Sequence, residues 1–557
     1  MEKQCTCSAL KGEKMNSDDF IIWLRGRSER SGLRKILMYE NISLWWFCDF
    51  ELYYLFKKHL RGESTLHRNK HLLVYKSLKY YQIFKPIIRS LIGKLLCKTN
   101  YKKSNKYKIL AVSYTNYWNL YPTPQHLKGS KEVDLDCMIG NVITLLKNRD
   151  FNVVALDQDV NFFIDFKVLV EKIIQIKNTW KPVESYLTLN CIKQALKLTK
   201  KYKIKWNNLK KDVTFTNAWK YKDIELRDVL IRYFDRFFEQ GIFLPILYLE
   251  LLRRVIKIEQ PDAIVITCGY CLLGEVAMIV SNLKKIPTLE IQHGVIHPAH
   301  IAYIFTKGDK KDCPIPNKTA VCGQYHYDLL TKNSIYEPDQ VVVTGQPRYD
   351  VLFYADKIYS KERFFTEYKI NPEHKIVLWT TQCHSLSEEE NNKNFKAVFK
   401  TMQNLKDTTL IIKQHPGERE EDTKMIEEFL SKYEISAVVT PKSSDTYEQL
   451  FVCDLMTTQA STTAMEAVAL KKPVVILNLS GEPDIVEYVK EGVALGVYKE
   501  EDLEPAIVGL LTDDSELARN REKYIEKYLY KIDGKATERV VGVIEGMIKE
   551  RRKRGEK

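Results

Sequence analysis

Two doubly wound α/β domains of Rossmann type, preceded by a basic helical extension, are the architecture this sequence predicts. Three observations carry the prediction. From Lys108 onward, short β-branched runs alternate with helical patterns, the signature of parallel sheets covered by helices on both faces. A chain of 557 residues is too long for a single core. The excess positive charge is confined to one N-terminal segment and leaves the rest of the chain about neutral.

Residues 1–107 read as a basic, mostly helical extension. Residues 108–350 read as the first Rossmann-like unit, with strands at 109–113, 153–156, 263–267, 288–292, 319–322 and 341–344. Helices are expected at 138–148, 272–283 and 325–331, with a long, interrupted helical stretch over 162–203 and 224–259. Residues 351–530 read as the second unit, joined to the first near 345–372, with strands at 376–380, 410–413, 437–439, 454–457 and 473–477. From residue 503 the pattern is helical to the end, and 531–557 form a terminal helix.

Between Lys57 and Lys108 there are fifteen Lys or Arg and one acid, Glu63, so 15 − 1 = +14, which equals the formal net charge of the whole chain. A short basic tail, Arg551-Arg552-Lys553-Arg554, ends the terminal helix. Apolar and charged contents of 45% and 28% are those of an ordinary globular protein. The twelve cysteines are scattered, no signal-peptide pattern opens the chain, and Cys268-Gly269-Tyr270-Cys271 lacks a second pair at zinc spacing. Cys5 and Cys7 lie in a polar leader. A reduced, cytoplasmic setting is expected.

No apolar run reaches the eighteen residues that a spanning helix needs. Residues 82–98 instead repeat Ile83, Phe84, Ile87, Ile88, Leu91, Ile92, Leu95 and Leu96 on one helical face, with Lys85, Arg89, Lys94 and Lys98 off it. Together with the Trp45-Trp46-Phe47 cluster, this predicts peripheral contact with an anionic membrane at its inner face. The other reading packs that apolar face onto the body of the protein. No recognition motif accompanies the basic charge, so nucleic acid is not an expected partner.

The chemistry concentrates between Leu410 and Leu479. One apolar strand ends in Lys413-Gln414-His415-Pro416, and another runs into Ser461-Thr462-Thr463 before a helix. Hydroxyls and free first-turn N–H groups attract anions, and a histidine at a neighbouring strand tip adds a donor. His415, Ser461, Thr462 and Thr463 are therefore candidate phosphate contacts. A helix cap and an ordinary turn are the structural reading of the same residues. Thr380, Thr381 and Gln382, which follow the first strand of the second unit, are candidate nucleotide contacts, as are Thr440 and Glu466.

In the first unit, Gln292-His293-Gly294 closes a strand. A neutral imidazole at a strand tip suits proton abstraction from a hydroxyl, so His293 is the candidate base, with Gly294 giving a sharp turn. His297 and His300 follow closely and leave that assignment open. Arg348, at the junction of the units, is a candidate for either a phosphate or an interface ion pair. Asp134 and Asp136, and Asp157 and Asp159, have D-x-D spacing. The first pair suits a helix start and the second lies away from the phosphate loops, so no metal and no cofactor are expected.

The order Gln292-His293-Gly294, Thr344-Gly345-Gln346-Pro347, Lys413-Gln414-His415-Pro416, Ser461-Thr462-Thr463-Ala464-Met465-Glu466-Ala467 and Asp533-Gly534-Lys535-Ala536-Thr537-Glu538-Arg539 resembles the GT-B transferases of surface polysaccharide assembly. It is most similar to the CDP-glycerol glycerophosphotransferase and capsule polysaccharide group, and more loosely to bacterial sialyltransferases. The likeness runs from about residue 108 to the C-terminus. It implies that His293 is the cleft base, that His415 and residues 461–463 meet the donor phosphate, and that the terminal helix crosses back to the first domain. Two departures stand out. Gln-His-Gly-Val replaces the usual Trp-His-Gly-Thr of teichoic-acid enzymes, and Ser461-Thr462-Thr463 replaces the Gly-Gly pair of UDP-N-acetylglucosamine 2-epimerases. The resemblance implies a metal-independent transferase moving a sugar or polyol phosphate from a nucleotide donor to a lipid-linked or glycan acceptor. A nucleotide-sugar epimerase and a non-catalytic assembly protein are the alternatives.

Overall fold

A computed structural model of the chain describes residues 17–60, 72–97, 107–118, 136–159, 166–175, 179–383, 386–415, 417–481, 483–484 and 486–555. The Cys5/Cys7 leader, Asp134 and the basic runs at 61–71 and 98–106 lie outside these residues.

Two parallel sheets organise the molecule. The first contains β1 (Lys108–Tyr114), β2 (Asn152–Gln158), β3 (Trp180–Pro182), β4 (Ala263–Ile266), β5 (Thr288–Ile291), β6 (Lys318–Val321) and β7 (Val341–Val343), in the order β7-β6-β5-β4-β1-β2-β3. The second contains β8 (Lys375–Thr380), β9 (Thr408–Lys413), β10 (Ala437–Thr440), β11 (Leu455–Thr458), β12 (Val474–Leu477) and β13 (Leu495–Val497), in the order β10-β9-β8-β11-β12-β13. Strand order reverses between β1 and β4 in the first sheet and between β8 and β11 in the second. Crevices of that kind, outside the carboxyl ends of the strands, are where open α/β sheets bind ligands.

Both faces of each sheet are buried, as parallel sheets require. In β1, Leu110 and Val112 feed one apolar cluster while Ile109 and Ala111 feed another. In β8, Ile376 and Leu378 alternate in the same way with Val377 and Trp379. That is why these strands read as continuous apolar runs.

The helices that matter below are α1 (Ser17–Arg30), α2 (Trp46–Leu60), α3 (Leu72–Leu96), α4 (Gly140–Asn148), α5 (Phe166–Gln175), α6 (Leu272–Lys284), α7 (Thr463–Ala469) and α8 (Ala536–Lys553). Val540, Val541, Ile544 and Met547 of α8 share a cluster with Ile109 of β1 and Val142 of α4, so the chain ends packed on the first sheet. Asp350 holds the start of that helix by accepting from the backbone N–H groups of Ala536 at 2.9 Å and Thr537 at 2.8 Å.

Two strands differ from the sequence expectation. Trp180–Pro182 interrupts the expected helical stretch over 162–203, and Leu495–Val497 adds an edge strand. Each has three residues, too few to show a period of two.

The N-terminal helices are built into the first domain. Phe20, Leu24, Trp45, Leu52 and Phe56 are fully buried in the core that holds Leu110 and Val112. The Trp45-Trp46 pair therefore packs inward and is not a membrane anchor.

Helix α3 is turned the other way. Among its described side chains Arg89 is fully buried, bound to Asp157 (2.9 Å), Glu184 (3.1 Å) and Asp159 (3.7 Å), while Lys85 reaches Asp159 (3.5 Å). Burying one member of such a network without the others costs several kcal/mol. These carboxylates help select the inward face, on which Ile83, Ile87 and Ile92 also pack against the body, while Phe84, Ile88, Leu91 and Leu95 are left exposed. Among the described residues, no helix is long and apolar enough to cross a membrane.

Candidate functional site

The predicted phosphate loop lies on the switch point of the second sheet. Thr380 of β8 is level with Lys413 of β9, and Trp379 is level with Thr457 of β11, so three strand tips stand side by side. The loops carrying His415 and Ser461 leave the strands on either side of β8. At ordinary strand spacing their roots are about 10 Å apart.

Side-chain bonds fix both loops. Gln382 Oε1 accepts from the Ala460 N–H at 2.7 Å and from Thr458 Oγ1 at 3.5 Å, tying the β8 tip to the loop after β11. Ser461 Oγ lies 2.7 Å from Thr463 Oγ1 and accepts from the Thr463 N–H at 3.2 Å. Thr462 is exposed at the start of α7. The Gly417 N–H donates to His415 Nδ1 at 3.0 Å, which puts the imidazole proton of a neutral ring on Nε2, the tautomer a phosphate contact needs.

Other candidates serve the scaffold. Thr381 Oγ1 and the Cys383 N–H both donate to the buried Glu418, at 3.0 and 2.9 Å. Thr440 Oγ1 donates to the Ile412 carbonyl at 3.3 Å, so only its backbone is available to a nucleotide. Thr380 Oγ1 and Gln459 Oε1 are buried without a hydrogen-bond partner among the described residues.

His293 follows β5, beside the tip of β4. Its Nε2 lies 3.0 Å from the Tyr270 hydroxyl, and burial, helped by the nearby Arg348 charge, pushes its pKa down to about 4. It is neutral at pH 7. His300, against Tyr270 and Tyr303, is likewise pushed down to about 4 by burial. The turn itself is held by the Gln292 side chain, which donates to the Gly294 carbonyl at 2.7 Å and accepts from the Cys322 N–H at 2.9 Å. Gly294 is not needed for it: a Cβ there would meet open space.

Arg348 joins the two halves. Its guanidinium pairs with Glu466 of α7, its Nε donates to the Tyr447 hydroxyl at 2.8 Å, and Tyr447 in turn donates to Glu466 at 3.2 Å. Glu466 is thus taken up by an ion pair, and the arginine adopts the interface role that its sequence position left open. Val295, two residues past His293, packs on the apolar cluster containing Ala464 and Met465. Arg348 therefore stands between His293 on one side of the cleft and the helix of the hydroxyl loop on the other.

The sequence reading missed Tyr270 and Tyr447. Tyr270 had a usable signal, since it follows β4 at the switch point of the first sheet. Among the acidic pairs, Asp136 and Asp157 have partners of their own. Asp136 accepts from Ser113 Oγ at 2.6 Å and from the Met138 and Ile139 N–H groups at 2.9 and 3.0 Å, opening α4. Burial pushes the Asp157 carboxyl up, but Lys172 and Arg89 together hold it below the usual range.

Residues 321–545 match the family model described as UDP-N-acetylglucosamine 2-epimerase. The match takes in the whole second sheet and stops short of His293. Among solved structures, the chain is similar to a UDP-GlcNAc 2-epimerase from Neisseria meningitidis bound to UDP-GlcNAc, at 14% identity and a TM-score of 0.50, covering 79% of this chain and 100% of that one. A glycosyltransferase from Rickettsia africae is 13% identical with a TM-score of 0.46, covering 80% and 100%. The UDP-GlcNAc 2-epimerase from Methanocaldococcus jannaschii is 14% identical with a TM-score of 0.47, covering 79% and 99%. At these identities the likeness is one of fold. No curated protein matches the chain.

Proposed function

We propose that the protein is an enzyme acting on a nucleotide-activated sugar, whose second domain holds the nucleotide and stabilises its departing phosphate. The observation that carries this reading is the coincidence of two independent things. The match to the epimerase model spans the second sheet, and the switch point of that sheet carries His415 and the 461–463 hydroxyls. Donors fixed in advance around a developing phosphate charge lower the barrier without reorganisation.

Within that class, inversion at a ring carbon of the sugar has the family match behind it. Transfer to a glycan or lipid-linked acceptor is the second reading. Two features speak for it: the match begins only after His293, and hydroxyl residues stand where epimerases carry Gly-Gly. In either reaction His293, neutral and paired with Tyr270, is the proton acceptor, and an anionic donor entering the cleft raises its basicity. The proposal includes peripheral contact with an anionic membrane. The exposed ridge of Phe84, Ile88, Leu91 and Leu95 and the surrounding basic segment support it.

Purified protein incubated with UDP-, CDP- and CMP-linked donors separates the readings. An epimerase converts its sugar nucleotide with no acceptor present, and a transferase releases nucleotide only when acceptor is added. Absence of both conversion and release with every donor contradicts the proposal.

A further inference from the structure

Between α2, the first turn of α6 and β5 lies a cavity of about 50 Å³, lined by Trp46, Asp49, Phe50, Tyr270, Glu275 and Glu290 among others. At roughly 10–15 Å³ for one water, it takes a group of three or four heavy atoms. Its lining holds three carboxyl side chains and no basic one.

Two of the three carboxyls are satisfied. Asp49 pairs with Arg25 at 2.7 Å and accepts from the Trp45 indole at 2.9 Å. Glu290 Oε1 accepts from the Gly269 N–H and the Tyr303 hydroxyl, both at 2.8 Å. A Cβ at Gly269 would stand 2.8 Å from that same oxygen, so the backbone is shaped around the acid.

Glu275 is different. It is 5% exposed, and no hydrogen bond or ion pair holds its carboxyl among the described residues. Burial pushes its pKa well up, and the neighbouring Asp49 and Cys271 add to that push. The nearby guanidiniums are committed elsewhere, Arg25 to Asp49 and Asp309 and Arg34 to Asp309 and Asp312. A buried carboxylate without a cation is costly, and a buried carboxylic acid without an acceptor is costly too. The protein satisfies neither form.

We propose that this cavity binds a small primary ammonium group, with Glu275 as its counter-ion and the rings of Trp46, Phe50 and Tyr270 as its wall. Three N–H donors suit neighbouring carboxyls, and aromatic faces attract a desolvated cation. The wall already does so on one side, where the Arg25 guanidinium lies 5.3 Å from the Trp46 ring centre and 5.0 Å from that of Phe305. Phe50, 36% exposed, forms the rim. Tyr270 connects the cavity to the cleft through its bond to His293. The proposal does not depend on the nucleotide reading.

The test is thermal unfolding of the full chain at pH 7.5 and constant ionic strength, with ethylammonium as probe. Ethanol, potassium and tetramethylammonium serve as neutral, inorganic and oversized controls. A saturable rise in Tm is expected with ethylammonium and with none of the controls. In Glu275→Gln the half-saturating concentration is expected to rise about ten-fold or more. Glucosamine serves as an amine on a larger body: a shift with it as well assigns the site to an acceptor's amino group, and a shift with ethylammonium alone to a free small amine. No shift with either amine, an equal shift with ethanol or potassium, or an unchanged response in Glu275→Gln overturns the proposal. Should the variant fail to fold, the wild-type comparison decides by itself.

Discussion

His293 works at the junction of two environments. One side of the ring meets Tyr270, and the Arg348 charge lies on the side of the second domain. Replacing it with alanine is expected to lower kcat by about 10²–10⁴, the usual contribution of a general base, with nucleotide affinity unchanged. Turnover at the wild-type rate would refute the assignment. Ser461→Ala combined with Thr462→Ala is expected to weaken nucleotide binding about ten-fold or more, read by titration calorimetry. Arg348→Met strands the buried Glu466 carboxylate and is expected to cost about 2–3 kcal/mol in urea unfolding. The strand-tip residues were legible in the sequence because an apolar run ending in a polar residue marks where a side chain meets a cleft. The Arg348–Glu466 pair was not, since its members are 118 positions apart and only the packing of the halves joins them.

Helix α3 shows why element-level patterning can mislead. Its sequence has an apolar stripe and basic residues beside it, yet the fold buries Arg89 and splits the stripe, packing Ile83, Ile87 and Ile92 inward and leaving Phe84, Ile88, Leu91 and Leu95 exposed. Three carboxylates, Asp157 in β2, Asp159 just past it and Glu184 after β3, supply the reason, and none of them is near α3 in sequence. Leu91→Glu with Leu95→Glu, at residues 57% and 82% exposed, is expected to leave the unfolding midpoint unchanged and to abolish sedimentation with anionic liposomes. Loss of stability would mean that the ridge is packed, and undiminished sedimentation would mean that it does not touch lipid. The long strands and their alternation with helices were readable because both faces of each sheet are buried. The three-residue strands β3 and β13 were not, since their neighbours in space, and not their own residues, make them strands.

At the scale of the whole molecule, the half-buried His293 and His300 and the fully buried His326 set a pH dependence. Burial pushes His293 and His300 down to about 4 and His326 to about 3. Unfolded, each titrates near the ordinary value of about 6.5. Between those limits the unfolded chain binds more protons than the native one, so stability rises with pH. It is complete above about 6.5 and is lost as pH falls toward 4. The urea midpoint is therefore expected to drop as pH falls from about 6.5 to about 5.5, the upper part of that window, where ordinary carboxylates are still ionised, and a flat midpoint there would show that these rings are solvated. The two domains meet through Arg348, Val295 and the returning helix α8, and the proposed function requires the strand tips of both sheets to face one another. A crystal structure with UDP tests that account most directly. The diphosphate is expected within hydrogen-bonding distance of His415 and the 461–463 loop, on the side of the cleft facing His293. A diphosphate held anywhere else, or no binding at all, would contradict it.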